Sequence, residues 1–203
     1  MLIKTFLKLS VEIITYLIDK YMTNYKKLAE EIHEASVEKG LWDGKISVWH
    51  CMGLVFTELA EFVEAERKEK RADVKKFNQW YDDYGLDFNV CFNDCIKNTV
   101  EDELADAVIR LLDTIEGHFP KHRIVITYAD LPEYYQKKNA SETIYSWIAA
   151  FTSKTDDGLA DRVMHMIDGI ISYCIFYDID LMYHIKLKMQ YNKGREKKHG
   201  KIY

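Results

Sequence analysis

Apolar residues recur at three- and four-residue intervals along most of this chain. The intervals predict helices at roughly 2–20, 22–38, 48–70, 99–118, 142–154, 158–177 and 180–197. Leu54, Val55, Leu59 and Phe62 fall on one face of the third helix, and Val100, Leu104, Ala107, Leu111 and Ile115 on one face of the fourth. "KGLWDGK" (39–45) reads as a turn, and Pro120 and Pro132 bound a loop. Thr155, Asp156 and Asp157 are candidate caps for the helix after them. "RIVITY" (123–128) is the one short strand candidate.

The expected architecture is therefore all-α: a four-helix-bundle-like core with an additional N-terminal helix and an aromatic-rich insertion. A single domain, 1–203, divides into N-terminal helices (1–45), two acidic helices (46–118) with the insertion at 71–98, and C-terminal helices (140–203) ending in a basic stretch. In the insertion, Trp80, Tyr81, Tyr84 and Phe88 offer rings that could stack on a base or simply fill a core.

Composition narrows this picture. In "MLIKTFLKLSVEIITYLIDKYM", Lys4, Lys8, Glu12 and Asp19 break each apolar run before it reaches signal-peptide or membrane-spanning length. That segment reads as an amphipathic helix packed on the body or on another subunit, so no membrane association and a cytoplasmic location are expected. Cys51, Cys91, Cys95 and Cys174 lack a Cys-x-x-Cys spacing and read as buried thiols of a reducing compartment.

The formal charge is −5, but His184–Tyr203 carries seven Lys and Arg against the single Glu196. An acidic body with a basic end suits a polyanion held between metal ions and cations, and it also suits a solvated tail.

The chemistry begins with a repeated phrase. "ELAE" at Glu58 and "ELAD" at Glu103 each place two acids three residues apart beside an apolar stripe. On one helix alone such a pair is an ordinary solvated surface feature. If the two stripes pack together, Glu58, Glu61, Glu103 and Asp106 meet at the rim of the interface, where four anions need positive partners. Two divalent cations would neutralise all four. Oxygen donors without His or Cys select Mg²⁺, or Mn²⁺, over zinc, and the missing Glu-x-x-His argues against a di-iron site. Arg110, one turn after Asp106, is expected to hold carboxylates in place.

In the last helix Lys188, Asn192, Arg195 and His199 share a face if the helix persists that far, although Gly194 weakens it. Lys and Arg are phosphate donors, and Asn can bridge phosphate, sugar or water.

Taken together, "ELAEF" at Glu58, "VEDELADAVIRLLD" from Val100 and "KMQYNKGREKKHGKIY" from Lys188 resemble the all-α nucleoside triphosphate pyrophosphohydrolases, the MazG-like enzymes and their dimeric dUTPase relatives. The resemblance implies Mg²⁺-dependent hydrolysis between the α and β phosphates of a nucleoside triphosphate, noncanonical or deoxy substrates included, in a house-cleaning role. It further implies Glu58, Glu61, Glu103 and Asp106 as metal ligands and catalytic residues, with Lys188, Asn192 and Arg195 at the phosphates and His199 and Lys201 beyond them. A homodimer or homotetramer is the implied assembly.

The chain departs from the family in two places. Thr57 stands where a further acid commonly precedes the first pair, and the 71–98 insertion lengthens the gap between the pairs. Thr57 keeps open a rival, a non-catalytic nucleotide- or metal-binding regulator on the same bundle. A nucleic-acid-binding role through the basic tail is the weaker rival, given the overall acidity, and nucleic acid is not an expected partner.

Overall fold

The computed structural model describes residues 25–126, 139–153 and 158–197. These form α1 (25–38), α2 (Val48–Arg67), α3 (Val74–Asn78) running into a π-helical turn at Gln79–Asp83, α4 (Phe88–Cys95), α5 (Val100–His118), α6 (Ala140–Thr152), α7 (Leu159–Phe176) and α8 (Leu181–Lys193). The fold is all-α with a bundle-like core, and no strand occurs among the described residues. The expected helix at 2–20 lies outside them.

Local chemistry sets most of the helix starts. Ser47, Thr99 and Asp180 each accept a backbone N–H from the first turn of the helix that follows. Asn139 and Glu142 form a reciprocal capping box, which starts α6 at Ala140, two residues earlier than the apolar pattern alone indicates.

Three expectations at element ends are corrected. Arg123–Ile126 is irregular rather than extended in a sheet, with Ile124 and Ile126 buried against the core; the remainder of the strand candidate falls outside the described residues. Gly158, with no side chain to offer, is the N-cap of α7, while Thr155, Asp156 and Asp157 lie outside the described residues. The last helix stops at Lys193 with Gly194 as its C-cap, so Arg195 stands beyond the helix instead of on its face, and His199 and Lys201 lie outside the described residues.

Helix α5 is the axis of the bundle. Its buried positions encircle it, because it packs on α2, α7 and α8 at once. All five residues of its anticipated stripe are buried, as are Val55, Leu59 and Phe62 of α2, whereas Leu54 is only half-buried. The insertion has its own small core of Phe77, Cys91, Phe92, Cys95 and Ile96, closed by Leu187 of α8. Phe92 stacks on Tyr191 with centroids 4.4 Å apart, Lys97 Nζ donates to the Tyr191 hydroxyl, and the Tyr183 hydroxyl donates to Asn78. The insertion therefore braces α8 against α5. Cys91, Cys95 and Cys174 are buried and Cys51 half-buried, and all four are free thiols. Among the described residues no helix is long and apolar enough to cross a membrane.

The turn after α1 ties distant parts of the chain together. Trp42 Nε1 donates to both oxygens of Asp113 on α5, at 3.0 and 3.1 Å, and His33 Nδ1 lies 2.7 Å from the same carboxylate. Gly117 makes room for the Trp42 ring: a Cβ there would sit 2.2 Å from Cη2. Gly117→Ala is therefore expected to destabilise the protein by about 1–3 kcal/mol despite the higher helix propensity of alanine. Urea unfolding followed by tryptophan fluorescence would measure the loss.

Candidate active site

Where α2 and α5 cross, Glu58, Glu103 and Asp106 bring carboxylate oxygens within 4.8 Å of one another. Packing of the two apolar stripes produces this convergence, since each acid lies beside a residue buried in the shared interface. Glu103 is only 2% exposed and Glu58 6%, while Asp106 is half-buried.

Two cations, the half-buried Arg110 and the buried Lys188, balance this group. Arg110 Nε donates to Glu58 Oε1 at 2.7 Å, as expected of a residue that holds a carboxylate in place. Lys188, 5% exposed, places Nζ 2.9 Å from Asp102 Oδ1 and 2.8 Å from Asp106 Oδ2. The Phe92 ring lies 5.8 Å from that ammonium, so the insertion's small core backs the site. Lys188, expected at the phosphates, thus stands among the carboxylates.

Asp102 is the acid that the repeated phrase did not single out. It is 1% exposed, and beyond Lys188 it accepts the Asn98 N–H at 2.9 Å. Asn98 holds a left-handed φ of 56°, which turns the chain into α5 at this point. Glu61 falls on the exposed side of α2, outside the converged trio, although its charge still reaches Glu58 and Glu103. Thr57 is also exposed, and its hydroxyl donates to the Leu54 carbonyl oxygen of its own helix at 2.6 Å.

Crowding of the acids has an electrostatic signature. Burial, then the charges of Asp102, Asp106 and Glu61, push the Glu103 carboxyl up to about 8 against the single opposing charge of Lys188. Burial likewise raises Glu58 and Asp102, with Arg110 and Lys188 respectively pulling the other way. The ammonium of Lys188 is held charged by Asp106 and Asp102 in spite of its burial.

A cavity of about 330 Å³ opens beside the acids between α1, α5 and the end of α8. Asp106, Arg110, Asp113, Asn192 and Arg195 are among its lining residues, and Ile32, Ile109 and Met189 give it an apolar side. The Asn192 Oδ1 atom is buried without a hydrogen-bond partner. The wall formed by the basic segment is fixed from the far end of the sequence. Lys39 Nζ donates to the backbone carbonyls of Lys193 and Arg195, and Lys197 pairs with Asp43 at 3.1 Å. Gly40, at φ +72°, lets Lys197 pass where a Cβ would lie 2.3 Å from its Cε.

Of the residues expected at the site, Glu58, Glu103, Asp106 and Lys188 are thus gathered around one point, and Asn192 and Arg195 line the adjoining cavity. In the insertion, Phe77, Tyr81, Phe88 and Phe92 form a chain of ring contacts, so Phe88 serves the core. Trp80 lies under the Lys76 ammonium at 4.2 Å, and Tyr84 is exposed. None of the four rings considered for base stacking lines the cavity.

The donor set suits a hard divalent cation: three carboxylates, no thiol and no imidazole. Comparison of the chain with protein-family models, with curated proteins and with solved structures gave no match.

Proposed function

We propose that this chain is a Mg²⁺-dependent nucleoside triphosphate pyrophosphohydrolase that releases a nucleoside monophosphate and pyrophosphate. The observation that carries the reading is the convergence of Glu58, Glu103 and Asp106 beside a cavity lined by Asn192 and Arg195. Carboxylates that would hold a cation and donors that suit phosphate oxygens adjoin one another, as phosphoryl chemistry requires.

Glu58, Glu103 and Asp106 would hold the metal, with Mn²⁺ as an acceptable substitute. Bound there, the ion would neutralise phosphate charge and acidify a water molecule. The protein's own groups do the rest. Arg110 fixes the Glu58 oxygens, and Lys188 fixes Asp106 through its pairing with Asp102. Arg195 would meet phosphate oxygens from the cavity wall, and the Asn192 amide, whose Oδ1 lacks a partner, would orient the substrate or its water.

Charge arithmetic favours a single ion over the pair suggested by four unopposed acids. Glu58, Asp102, Glu103 and Asp106, when ionised, face only Arg110 and Lys188. The remaining charge matches one divalent cation.

The test is pyrophosphate release from a panel of normal and modified nucleoside triphosphates, with and without Mg²⁺. Release from some members that vanishes with EDTA is the expected result. The alternative is a non-catalytic nucleotide- or metal-binding regulator, favoured by Thr57, whose hydroxyl is turned back onto its own helix where a further acid would be needed. Nucleotide binding without release from any member of the panel would select it. A cytoplasmic homodimer or homotetramer completes the proposal, and light scattering after gel filtration would give the subunit number.

A further inference from the structure

Helix α2 turns an apolar stripe outward, on the side away from Glu58. Trp49, Gly53, Phe56, Ala60 and Val63 are spaced i, i+4, i+7, i+11 and i+14, which keeps them on one face over about 21 Å. Trp49 is 63% exposed, Gly53 and Ala60 are exposed, and Phe56 and Val63 are half-buried and pack in part on the core. The Phe151 ring of α6 stands beside the stripe, 6.2 Å from Trp49 and 5.9 Å from Phe56. A Cβ added at Gly53 would meet nothing within 4 Å, so the stripe is open at that point.

Spacing of this kind seats another helix, and the chain itself carries a segment with the matching pattern. Residues 1–24 precede α1 and lie outside the described residues. Within them Ile3, Phe6, Ser10, Ile13 and Leu17 are spaced i, i+3, i+7, i+10 and i+14, so the two patterns, 3–17 and 49–63, have the same length. Lys4, Lys8, Glu12 and Asp19 fall within an arc of about 80° on the opposite side of a helical wheel.

Laid antiparallel, the two stripes put Ile3 opposite Val63, Phe6 opposite Ala60, Ser10 opposite Phe56, Ile13 opposite Gly53 and Leu17 opposite Trp49. At each inner position a bulky residue meets a small one, so the two helices can interdigitate. The place where the chain enters α1 sets the direction. Lys26 Nζ donates to Glu116 and to the Pro120 carbonyl, so α1 begins at the C-terminal end of α5. Cys51 Sγ lies 3.8 Å from His118 Nε2, so the Trp49 end of α2 is at that same end. Antiparallel packing brings residue 17 to the Trp49 end, where α1 starts. Parallel packing would leave it at the Val63 end, and residues 18–24 would have to run back almost fully extended, at about 3.3 Å per residue.

We propose that residues 3–17 form a helix that docks antiparallel on the outer face of α2 of the same chain, with Phe6 over Ala60 and Ile13 over Gly53. The segment then backs the helix that carries Glu58 from the side opposite the acids. The inference does not depend on the reaction those acids support.

Cysteine pairs in the full-length chain test the register. Phe6→Cys with Ala60→Cys should give a disulfide within one chain under mild oxidation, located by peptide mass spectrometry so that the four native thiols are told apart. Ile13→Cys with Ala60→Cys, a pair that faces only in the parallel arrangement, should not link. Ala60→Glu probes the contact without disturbing the packing of the described residues, because Ala60 is exposed among them. It should speed tryptic cleavage after Lys4 and Lys8 at least about tenfold, since the protease cuts only the undocked segment. A disulfide formed only between chains would make a second copy the occupant and overturn the proposal. Failure of the first pair to link, linkage of the second pair, or a cleavage rate unmoved by Ala60→Glu would overturn it as well.

Discussion

Glu103→Gln is expected to lower Mg²⁺-dependent pyrophosphate release by more than about a hundredfold, since even partners of a metal ligand cost up to that much. It should also abolish Mn²⁺ binding, read by electron paramagnetic resonance, while far-ultraviolet circular dichroism stays unchanged. The metal-free variant should be more stable than the parent at alkaline pH.

The sign follows from where the proton sits. Glu103 is pushed up to about 8 in the folded protein, against 4.5 ordinarily. Between those values the unfolded chain releases a proton that the native state keeps. The native state therefore loses stability as pH rises through that window, and the loss is complete above about pH 8. Glutamine has no such proton to lose. The difference in unfolding free energy between the two proteins should be absent near pH 4 and grow to on the order of 5 kcal/mol by pH 9. Urea melts at a series of pH values, in EDTA, would trace it. A flat difference would mean that Glu103 is solvated and not part of an acidic cage.

Lys188→Met is expected to have the largest effect on folding. Methionine preserves most of the volume but leaves Asp102, at 1% exposure, and Asp106 without their shared cation. Removing one partner of a buried ion pair costs about 3–5 kcal/mol. Adding Asp102→Asn to Lys188→Met should recover part of the loss, because it removes one stranded charge. A solvated phosphate-binding lysine would instead give a near-neutral change in stability and a raised KM alone. Chemical denaturation and steady-state kinetics on the same preparations separate the two behaviours.

The apolar spacing of α2 and α5 identifies which faces meet, and the acids beside those stripes follow from it. Arg110, one turn from Asp106, is expected beside the carboxylates, but its hydrogen bond goes to Glu58 on the facing helix. Spacing is silent on neighbours from other helices. Glu103 with Asp106 is an i, i+3 pair and Asp102 with Asp106 an i, i+4 pair, so a helical wheel ranks them alike. Only the approach of Lys188 from α8 distinguishes Asp102 as an ion-pair partner. Glu61 shows the converse: it matches Asp106 in the repeated phrase, yet the crossing of α2 over α5 leaves it on the exposed side. A basic face running past Lys193 requires the helix to persist through Gly194; it ends there, and Lys39 takes the Lys193 carbonyl that the helix leaves open together with that of Arg195.

The bridge from Lys39 and Asp43 to residues 193–197 also orders events during synthesis. Its two sides are separated by about 150 positions of chain, and the cation that quiets Asp102 and Asp106 is carried on the last described helix. A nascent chain that has released α2 and α5 from the ribosome already holds its acids but has neither Lys188 nor a wall for the cavity. The acidic crossing must then stay hydrated until α8 and residues 193–197 emerge, so the site is completed only after that later segment has been made. Chains truncated before Leu181 should accordingly be caught by chaperones or proteases with their α2–α5 crossing open, even though most of the residues that build that crossing are present.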